Sequence, residues 1–169
     1  MEFDDNKLLL DFMTISDLPA VHAIERYSFP KPWSVQTFLS ELVDNECAHY
    51  LVMRYGKQVV GYIGMWIILD EGHITTVAVH PGWRRKGIGS ILLKAIAKYA
   101  YRYSVRRMTL EVRVSNEGAQ SLYRSLGYQS FGVRPQYYID NKEDALIMWK
   151  ELTENECEIE IGVGNRNEL

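Results

Sequence analysis

The 169-residue chain has few cysteines and no long apolar segment. Its two cysteines, Cys47 and Cys157, fit neither a metal-ligand spacing nor a Cys-x-x-Cys motif, so we expect reduced thiols and no metal site. No apolar run reaches the ~18 residues that a membrane span requires. The acidic start of the chain, Met-Glu-Phe-Asp-Asp, is unlike a signal peptide. These absences predict a cytoplasmic protein without a membrane partner.

A strong charge of one sign is lacking too. The formal net charge is −3, which argues against nonspecific binding of nucleic acid because phosphate contacts need a basic surface. The hydrophobic share of 47% and the charged share of 24% are ordinary for a globular protein. We therefore expect a single domain over residues 1–152. Residues 153–169 are charged and weakly patterned, and we expect them to form a flexible tail.

Two common nucleotide-binding motifs are absent as well. The chain has no Gly-x-x-x-x-Gly-Lys-Ser/Thr loop. It also has no complete Gly-x-Gly-x-x-Gly motif with an acidic residue ~20 positions later. These absences exclude Walker-type ATPases and Rossmann dehydrogenases.

What the chain does contain is a strand, a glycine turn and a helix start in succession. Residues 74–79 are almost all apolar and predict a strand buried on both faces, which Pro81 and Gly82 end. Residues 84–90, Arg-Arg-Lys-Gly-Ile-Gly-Ser, then place three cations and two glycines beside the first free N–H groups of a helix. This turn suits a pyrophosphate, because glycine permits close approach and a helix N-terminus is partly positive. The alternative is an ordinary basic loop between a strand and a helix.

Periodicity along the rest of the chain predicts the order strand, helix, helix, three strands, helix, strand, helix, two strands. This is an α+β fold with a mixed central β-sheet and helices on both faces. Residues 49–55 and 58–69 are expected to form a hairpin. Residues 74–79 and 108–114 should be parallel neighbours, joined by a right-handed crossover through the long helix. Residues 128–134 and 145–152 should close the sheet.

The first helix and the loop after it have a clear pattern. We expect Ser16 or Asp17 to cap this helix, and Val21, Ile24 and Tyr27 to form its inner face. The sequence Phe-Pro-Lys-Pro-Trp-Ser at 29–34 then breaks the helix, because two prolines force an extended loop. This aromatic loop is a candidate rim for a substrate site.

The glycine turn resembles a known cofactor loop. Arg84-x-x-Gly87-x-Gly89 is similar to the acyl-CoA loop of the GNAT N-acetyltransferases, and this resemblance implies acetyl-CoA as the cofactor. The likeness extends through residues 110–128, the closing hairpin at 134–148 and the loop at 29–34. Within the family it is strongest to the subfamily that acetylates protein N-termini. The resemblance implies that this chain has the GNAT fold. It also implies that the partner is the N-terminal alanine of a small-subunit ribosomal protein.

The resemblance also implies which residues act. Glu111 falls on the family's general base and Tyr123 on its general acid. The cofactor contacts are expected from a strand, a loop and a helix start, namely Val77, Ala78, Val79, Arg84, Arg85, Lys86, Gly87, Ile88, Gly89, Ser90, Asn116 and Tyr123.

Elementary chemistry is compatible with these roles. An α-amine of pKa ~8 is about one-tenth neutral at pH 7, whereas a lysine of pKa ~10.4 is almost wholly charged. A strand carboxylate such as Glu111, with a pKa raised by partial burial, is then a sufficient base. The alternative is a glutamate that simply pairs with Arg113 on the same strand face. His73 and His80, at the ends of the central strand, are either rival bases or polar strand ends.

Tyr123 is suited to hydrogen-bond the departing thiolate, although Leu122 and Leu126 make a core tyrosine an equal interpretation. Backbone N–H groups at 77–79 are placed to polarise a thioester carbonyl.

The candidate substrate residues also have two interpretations. Phe29 and Trp33 either line the rim or plug the end of the core. Tyr137 and Tyr138 either clamp a peptide backbone, as the resemblance implies, or pack the hairpin. Glu25 is a candidate ligand for a cationic substrate. N-terminal protein acetylation is therefore the leading hypothesis, ahead of acetylation of a small amine and of a sensor that binds acyl-CoA without turnover.

Overall fold

The computed structural model describes residues 7–154, and the predicted order of elements is confirmed within them. The strands are β1 Leu8–Phe12, β2 Ala48–Tyr55, β3 Gln58–Ile68, β4 Glu71–Val79, β5 Arg107–Arg113, β6 Gln129–Tyr138 and β7 Glu143–Glu151. The α-helices are α1 Leu18–Ser28, α2 Val35–Val43, α3 Ile88–Arg102 and α4 Glu117–Ser125. Short 3₁₀ turns at Ile15–Asp17 and Pro81–Trp83 precede α1 and follow β4. Most of the predicted tail, from residue 155 on, lies outside the described residues.

The strands form one sheet in the order β1-β2-β3-β4-β5-β7-β6. β4 and β5 are parallel neighbours, as predicted, and α3 is the crossover between them. The last strand, β7, inserts between β5 and β6 and is antiparallel to both. β5 therefore lies inside the sheet.

Helices cover both faces of the sheet, which confirms the predicted fold class. On one face Leu92 and Ile96 of α3 pack with Ile63 and Leu110 of the sheet. On the other face Ile24 of α1 and Phe38 of α2 pack with strand side chains. We call the second face the α1/α2 face.

The start of α1 agrees with the prediction in position, whereas its inner face differs. Asp17 occupies the N-cap position, but its side chain makes no capping hydrogen bond, because the carboxylate turns back to accept from the Thr14 N–H and pairs with Arg54. Tyr27 is 68% exposed. The buried stripe of α1 instead includes Glu25, so the inner face is rotated away from Tyr27.

The closing hairpin is longer than predicted. Tyr137 and Tyr138 belong to the end of β6 and not to the turn, which occupies residues 139–142. Their part of β6 pairs irregularly with β7, because the register shifts between Arg134 and Tyr138 and Gln136 has a left-handed backbone, with φ of 49°.

The central feature of the sheet is a split between β4 and β5. The two strands pair from Glu71 to Ile74 on β4 and no further. Just beyond, the pairing of β4 with β3 skips Thr75, which marks a β-bulge. The sequence predicts a strand buried on both faces. In the structure the side chains of β4 alternate between buried and half-buried, so one face of the strand is less enclosed than the other. Residues 75–79 of β4 thus present a backbone edge with no strand partner among the described residues.

Candidate active site

The free edge of β4 leads directly into the glycine turn. α3 begins at Ile88, and its first internal hydrogen bond runs from the Ile91 N–H to the Gly87 carbonyl. The N–H groups of Ile88, Gly89 and Ser90 therefore have no acceptor within the helix. Gly87 has φ of 77° with open space where a Cβ would stand. The split and the turn together offer a line of backbone N–H groups that suits an extended, amide-containing chain ending in a pyrophosphate.

The three cations of this turn differ in their surroundings. The Arg84 guanidinium donates to the Val79 carbonyl at 3.0 Å and to the Ser28 hydroxyl at 3.1 Å, so it fastens the end of β4 to α1. Arg85 and Lys86 are exposed, with the Lys86 Nζ 5.9 Å from the centre of the Trp83 ring. All three residues are exposed, and the Arg84 guanidinium has two hydrogen-bond acceptors within the protein.

Glu111 lies on β5 just past the point where the strands separate, on the α1/α2 face. Its side chain is 8% exposed, and one oxygen, Oε2, is 3.1 Å from Nε2 of His73. The other oxygen, Oε1, is 3.4 Å from the guanidinium of Arg134. Each carboxylate oxygen therefore has one partner.

These partners reverse the expected pKa shift of Glu111. Burial alone would raise the pKa, but the hydrogen bond and charge of His73, together with the charge of Arg134, hold it below its ordinary value. The expectation of a raised pKa is wrong. A paired glutamate was the stated alternative, but Arg113 is not the partner, because its guanidinium binds Asp140 and Glu143.

Neither histidine beside the central strand is free to act as the base. His73 uses Nε2 on Glu111 and Nδ1 on the Thr109 hydroxyl, which is 3.0 Å away. His80 accepts a hydrogen bond from the Gly82 N–H through Nδ1 and so ends β4. Both side chains therefore have a structural partner.

Tyr123 projects from α4, which Asn116 caps by accepting a hydrogen bond from the Ala119 N–H at 3.1 Å. The Tyr123 ring is buried and packs edge-on against Tyr128. Within residues 7–154 its hydroxyl has no hydrogen-bond partner. Burial, followed by the nearby Tyr138, raises the pKa of Tyr123, so the phenol stays protonated at neutral pH and its O–H is available as a hydrogen-bond donor. Tyr123 is therefore a core residue whose hydroxyl is still available to donate a hydrogen bond.

The two tyrosines of β6 lie beside Glu111. Burial and the negative charge of Glu111 both raise the pKa of Tyr137, and these two effects, with further neighbours, also raise that of Tyr138 to about 12. Arg134 lies 5.3 Å from the centre of the Tyr137 ring, and Arg113 lies 3.8 Å from that of Tyr138. The hairpin is thereby held against the site, with Tyr137 partly open to solvent.

The loop at 29–34 packs inward. Phe29 and Trp33 both contact the core of the α1/α2 face, and Trp33 lies 5.4 Å from the Phe38 ring. Their rings therefore cover the end of the core. Glu25 is 2% exposed and uses both oxygens inside the protein, on the Trp33 N–H and the Tyr62 hydroxyl. Because its carboxylate is enclosed, the assignment of Glu25 as a substrate ligand is corrected.

Sequence patterns did not reveal His73 and Arg134 as the partners of Glu111. His73 meets Glu111 across the parallel pairing of β4 with β5. Arg134 stands opposite Ala145 of β7, and Ala145 stands opposite Arg113 of β5, so Arg134 reaches Glu111 across β7. Strand register determines both contacts, and no local signal in the sequence encodes it.

Comparison with known proteins agrees with this geometry. The profile of the GNAT acetyltransferase family matches residues 18–128. A Bacillus subtilis protein, provisionally assigned as a ribosomal protein bS18-alanine N-acetyltransferase, is 42% identical over 142 residues, which cover 84% of this chain and 94% of that protein. The ribosomal protein bS18-alanine N-acetyltransferase of Escherichia coli K12 is 37% identical over 138 residues, covering 79% and 90%.

A solved structure is similar over the same extent. The crystal structure of the ribosomal-protein-S18-alanine N-acetyltransferase from Escherichia coli matches with a TM-score of 0.79 and 31% identity, covering 86% of this chain and 94% of that one. The chain belongs to the GNAT acetyltransferase family.

Family membership makes acetyl-CoA the acyl donor, and the residues present fit it. The free edge of residues 75–79 matches an amide-containing arm, and the N–H groups before Ile91 match a pyrophosphate. Among residues 7–154 no three metal-ligating side chains gather at one point. No helix in that range has the length and apolarity needed to cross a bilayer.

Proposed function

We propose that this protein is an N-α-acetyltransferase that transfers the acetyl group of acetyl-CoA to the N-terminal alanine of a small-subunit ribosomal protein. The observation that carries the proposal is the position of Glu111. It is a buried carboxylate just beyond the split in the sheet, within reach of any group that enters between β4 and β5. The names of the relatives supply the substrate, and we infer that the enzyme acts in the cytoplasm.

On the donor side, the chain's own backbone does most of the binding. The edge of residues 75–79 pairs with the amide-containing arm, and the first turn of α3 receives the pyrophosphate, with Arg85 and Lys86 beside it. Acetyl-CoA supplies a thioester, whose carbonyl is open to attack by an amine. The N–H groups of the β4 edge are fixed in place before the substrate arrives, so they can polarise that carbonyl without reorganisation.

On the acceptor side, Glu111 receives the proton of the amine. Its oxygen Oε1 is the accessible one, because Oε2 is held by His73 and only the half-exposed Arg134 covers Oε1. A carboxylate with a lowered pKa is a weak base. It suits an α-amine, which is already partly neutral at pH 7, better than a lysine.

Tyr123 then stabilises the departing thiolate. Its phenol is protonated and has a free hydroxyl within the described chain, so it can donate a hydrogen bond or a proton to the sulfur. Transfer is direct, within a complex of both substrates. Cys47 is exposed, and the structure gives it no partner that would activate a nucleophile.

Mass spectrometry of peptides incubated with acetyl-CoA tests the proposal. Wild type should acetylate the α-amine of a peptide that begins with alanine, and should leave its lysines and free polyamines unmodified. Glu111→Gln and Tyr123→Phe should each lower kcat/KM by about 100-fold, the usual effect of losing one acid–base group. Both variants keep the shape of the residue replaced, so an unchanged melting temperature shows that the loss is catalytic.

Each contrary result has a distinct meaning. Preferred acetylation of a polyamine would show that the substrate is a small amine and not a peptide. Binding of acetyl-CoA without turnover of any amine would identify a sensor. Wild-type rates in both variants would refute the roles of Glu111 and Tyr123.

A further inference from the structure

A buried chain of hydrogen bonds connects the loop at 29–34 with β4. The Trp33 N–H donates to Oε1 of Glu25 at 2.9 Å, and the Tyr62 hydroxyl donates to Oε2. The Tyr62 oxygen also lies 3.3 Å from the Thr76 hydroxyl. Thr76 belongs to the part of β4 that has separated from β5. One end of this chain of hydrogen bonds is therefore at the loop formed by residues 29–34, which we call the rim loop. The other end is on β4, the strand that we assign to the acyl donor.

The chain has a fixed direction, which follows from donor and acceptor chemistry. Because the Tyr62 hydroxyl donates its hydrogen bond to Glu25, the Tyr62 oxygen is left to accept from Thr76. Glu25 accepts at both oxygens. Tyr62 is fully buried and Thr76 nearly so, which means that no solvent is at hand to replace a broken link. A shift of β4 must therefore be followed by Tyr62 and Glu25.

The rim loop is held firmly enough to follow such a shift. His22, one turn before Glu25 on α1, binds the Trp33 carbonyl through Nδ1 at 3.0 Å. The backbone of Trp33 is thus held on both sides of its Cα, at the N–H by Glu25 and at the carbonyl by His22. Displacement of Glu25 would turn this segment of the loop as a unit.

A second chain of the same kind serves as an internal comparison. Tyr50 donates to Glu41 of α2 at 2.9 Å and lies 3.5 Å from the Thr75 hydroxyl, one residue before Thr76. The Glu41 carboxylate, however, accepts hydrogen bonds from Trp66 and Asn45 and makes none to the rim loop among the described residues. Both chains reach the bulge of β4, but only the Glu25 chain continues to the loop.

We propose that Glu25 and Tyr62 are positioning residues that couple the two substrate sites, so that acetyl-CoA on β4 strengthens peptide binding at the rim loop. The inference rests on the proposed function and adds to it that the loop at 29–34, whose aromatic rings pack inward, forms part of the peptide site. By linkage, the peptide must strengthen binding of the cofactor by the same factor.

Calorimetric titration measures this coupling directly. The probe is a ten-residue peptide that begins with alanine, titrated into the full chain with and without saturating CoA, which cannot react. In wild type we expect CoA to tighten peptide binding by about tenfold, within the usual range for coupled sites. In Tyr62→Phe and in Glu25→Gln the factor should fall below about twofold. Tyr50→Phe is the matched control and should keep the wild-type factor.

The outcomes separate the inference from the proposed function. Retention of the coupling in Tyr62→Phe and Glu25→Gln, or its loss in Tyr50→Phe alone, would overturn the inference and leave the proposed function intact. A wild type that binds CoA but no alanine peptide would overturn the proposed function. Circular dichroism melting confirms that each variant is folded. If Tyr62→Phe is unfolded, the coupling factor measured in Glu25→Gln tests the inference.

Discussion

Glu111 shows how two neighbours determine the chemistry of one carboxylate. Burial pushes its pKa upward, yet the hydrogen bond and charge of His73 and the charge of Arg134 more than offset that effect. The result is a side chain that remains ionised throughout the neutral range. Its base strength is consequently adjustable through either partner.

Arg134→Met tests this control. Loss of the guanidinium should raise the pKa of Glu111, because the positive charge of Arg134 that favours the ionised carboxylate is gone. The acid limb of the profile of kcat/KM against pH, where Glu111 becomes protonated, should therefore move to higher pH. His73, Tyr137 and Tyr138 also face Glu111 and are unchanged in this variant.

Steady-state kinetics with the alanine peptide across the acid and neutral range measure this shift. Arg134→Lys is the control, since it keeps a cation and should keep most of the wild-type profile. Coincident profiles for wild type and Arg134→Met would show that the guanidinium does not act on Glu111.

Asp17, outside the candidate site, shows the same balance between burial and partners, and there it bears on stability. Its carboxylate is buried and accepts from Arg54 and Thr14, and these contacts outweigh burial and hold its pKa below the ordinary 3.8. The folded state therefore favours the ionised form. Its contribution to stability is complete above the pKa of the unfolded chain and is lost as the pH falls through the folded value.

Asp17→Asn should accordingly lower the free energy of unfolding by about 1–2 kcal/mol at neutral pH. The difference in unfolding free energy between wild type and variant should narrow as the pH falls below about 4, since Asp17 then becomes protonated in wild type as well. Urea unfolding at several pH values measures it. A gap that is independent of pH would mean that the charge of Asp17 plays no part.

At the level of elements, the turn between β4 and α3 depends on backbone geometry more than on side chains. Gly87 has φ of 77°, and a Cβ there would meet no atom within 4 Å. The constraint is therefore the left-handed conformation itself, which costs an L-residue roughly 1 kcal/mol.

Gly87→Ala should lower the free energy of unfolding by about 1 kcal/mol. It should also raise KM for acetyl-CoA more than KM for the peptide, because the strained turn presents the first N–H groups of α3. Thermal unfolding and initial rates measure the two effects. Gly132→Ala is a suitable control, since that glycine has an ordinary φ and open space around it. Equal effects of the two substitutions on KM for acetyl-CoA would argue against a special role for the turn.

Elements were predictable from sequence to different degrees. Apolar periodicity predicts the order of strands and helices, because it reports which face of each element is buried. The apolar pattern placed Tyr27 on the inner face of α1, which is wrong. The polar Glu25 is buried on that helix instead. The pattern also failed for Tyr137 and Tyr138, since irregular pairing extends β6 past Pro135. The partners of Glu111 depend on register between strands that are distant in sequence, which periodicity does not contain.

For the molecule as a whole, the two faces of the sheet have separate tasks. The α3 face holds the larger apolar core, and the α1/α2 face holds two separate polar pairs, Tyr62 with Glu25 and His73 with Glu111. A ligand that fills the split should therefore stabilise the entire domain.

Acetyl-CoA should stabilise the folded state by an amount that grows with the logarithm of its concentration, about 2.7 kcal/mol at 100 times its Kd, and should raise the melting temperature accordingly. S-acetylpantetheine, which has the arm but lacks the pyrophosphate, should give a much smaller shift at the same concentration. Differential scanning fluorimetry compares the two. Equal shifts would show that the turn at 84–90 contributes nothing to binding.

The insertion of β7 between β5 and β6 has a consequence for biosynthesis. The strand that carries Glu111 gains its full-length neighbour only from the last strand of the domain, residues Glu143–Glu151. A nascent chain leaving the ribosome thus exposes an unpaired edge on β5 until nearly all of the domain has been translated, and such edges invite wrong pairing. Premature termination inside the hairpin of β6 and β7 would deprive the proposed base of its neighbouring strand, so we expect acetylation activity only from chains translated through Glu151.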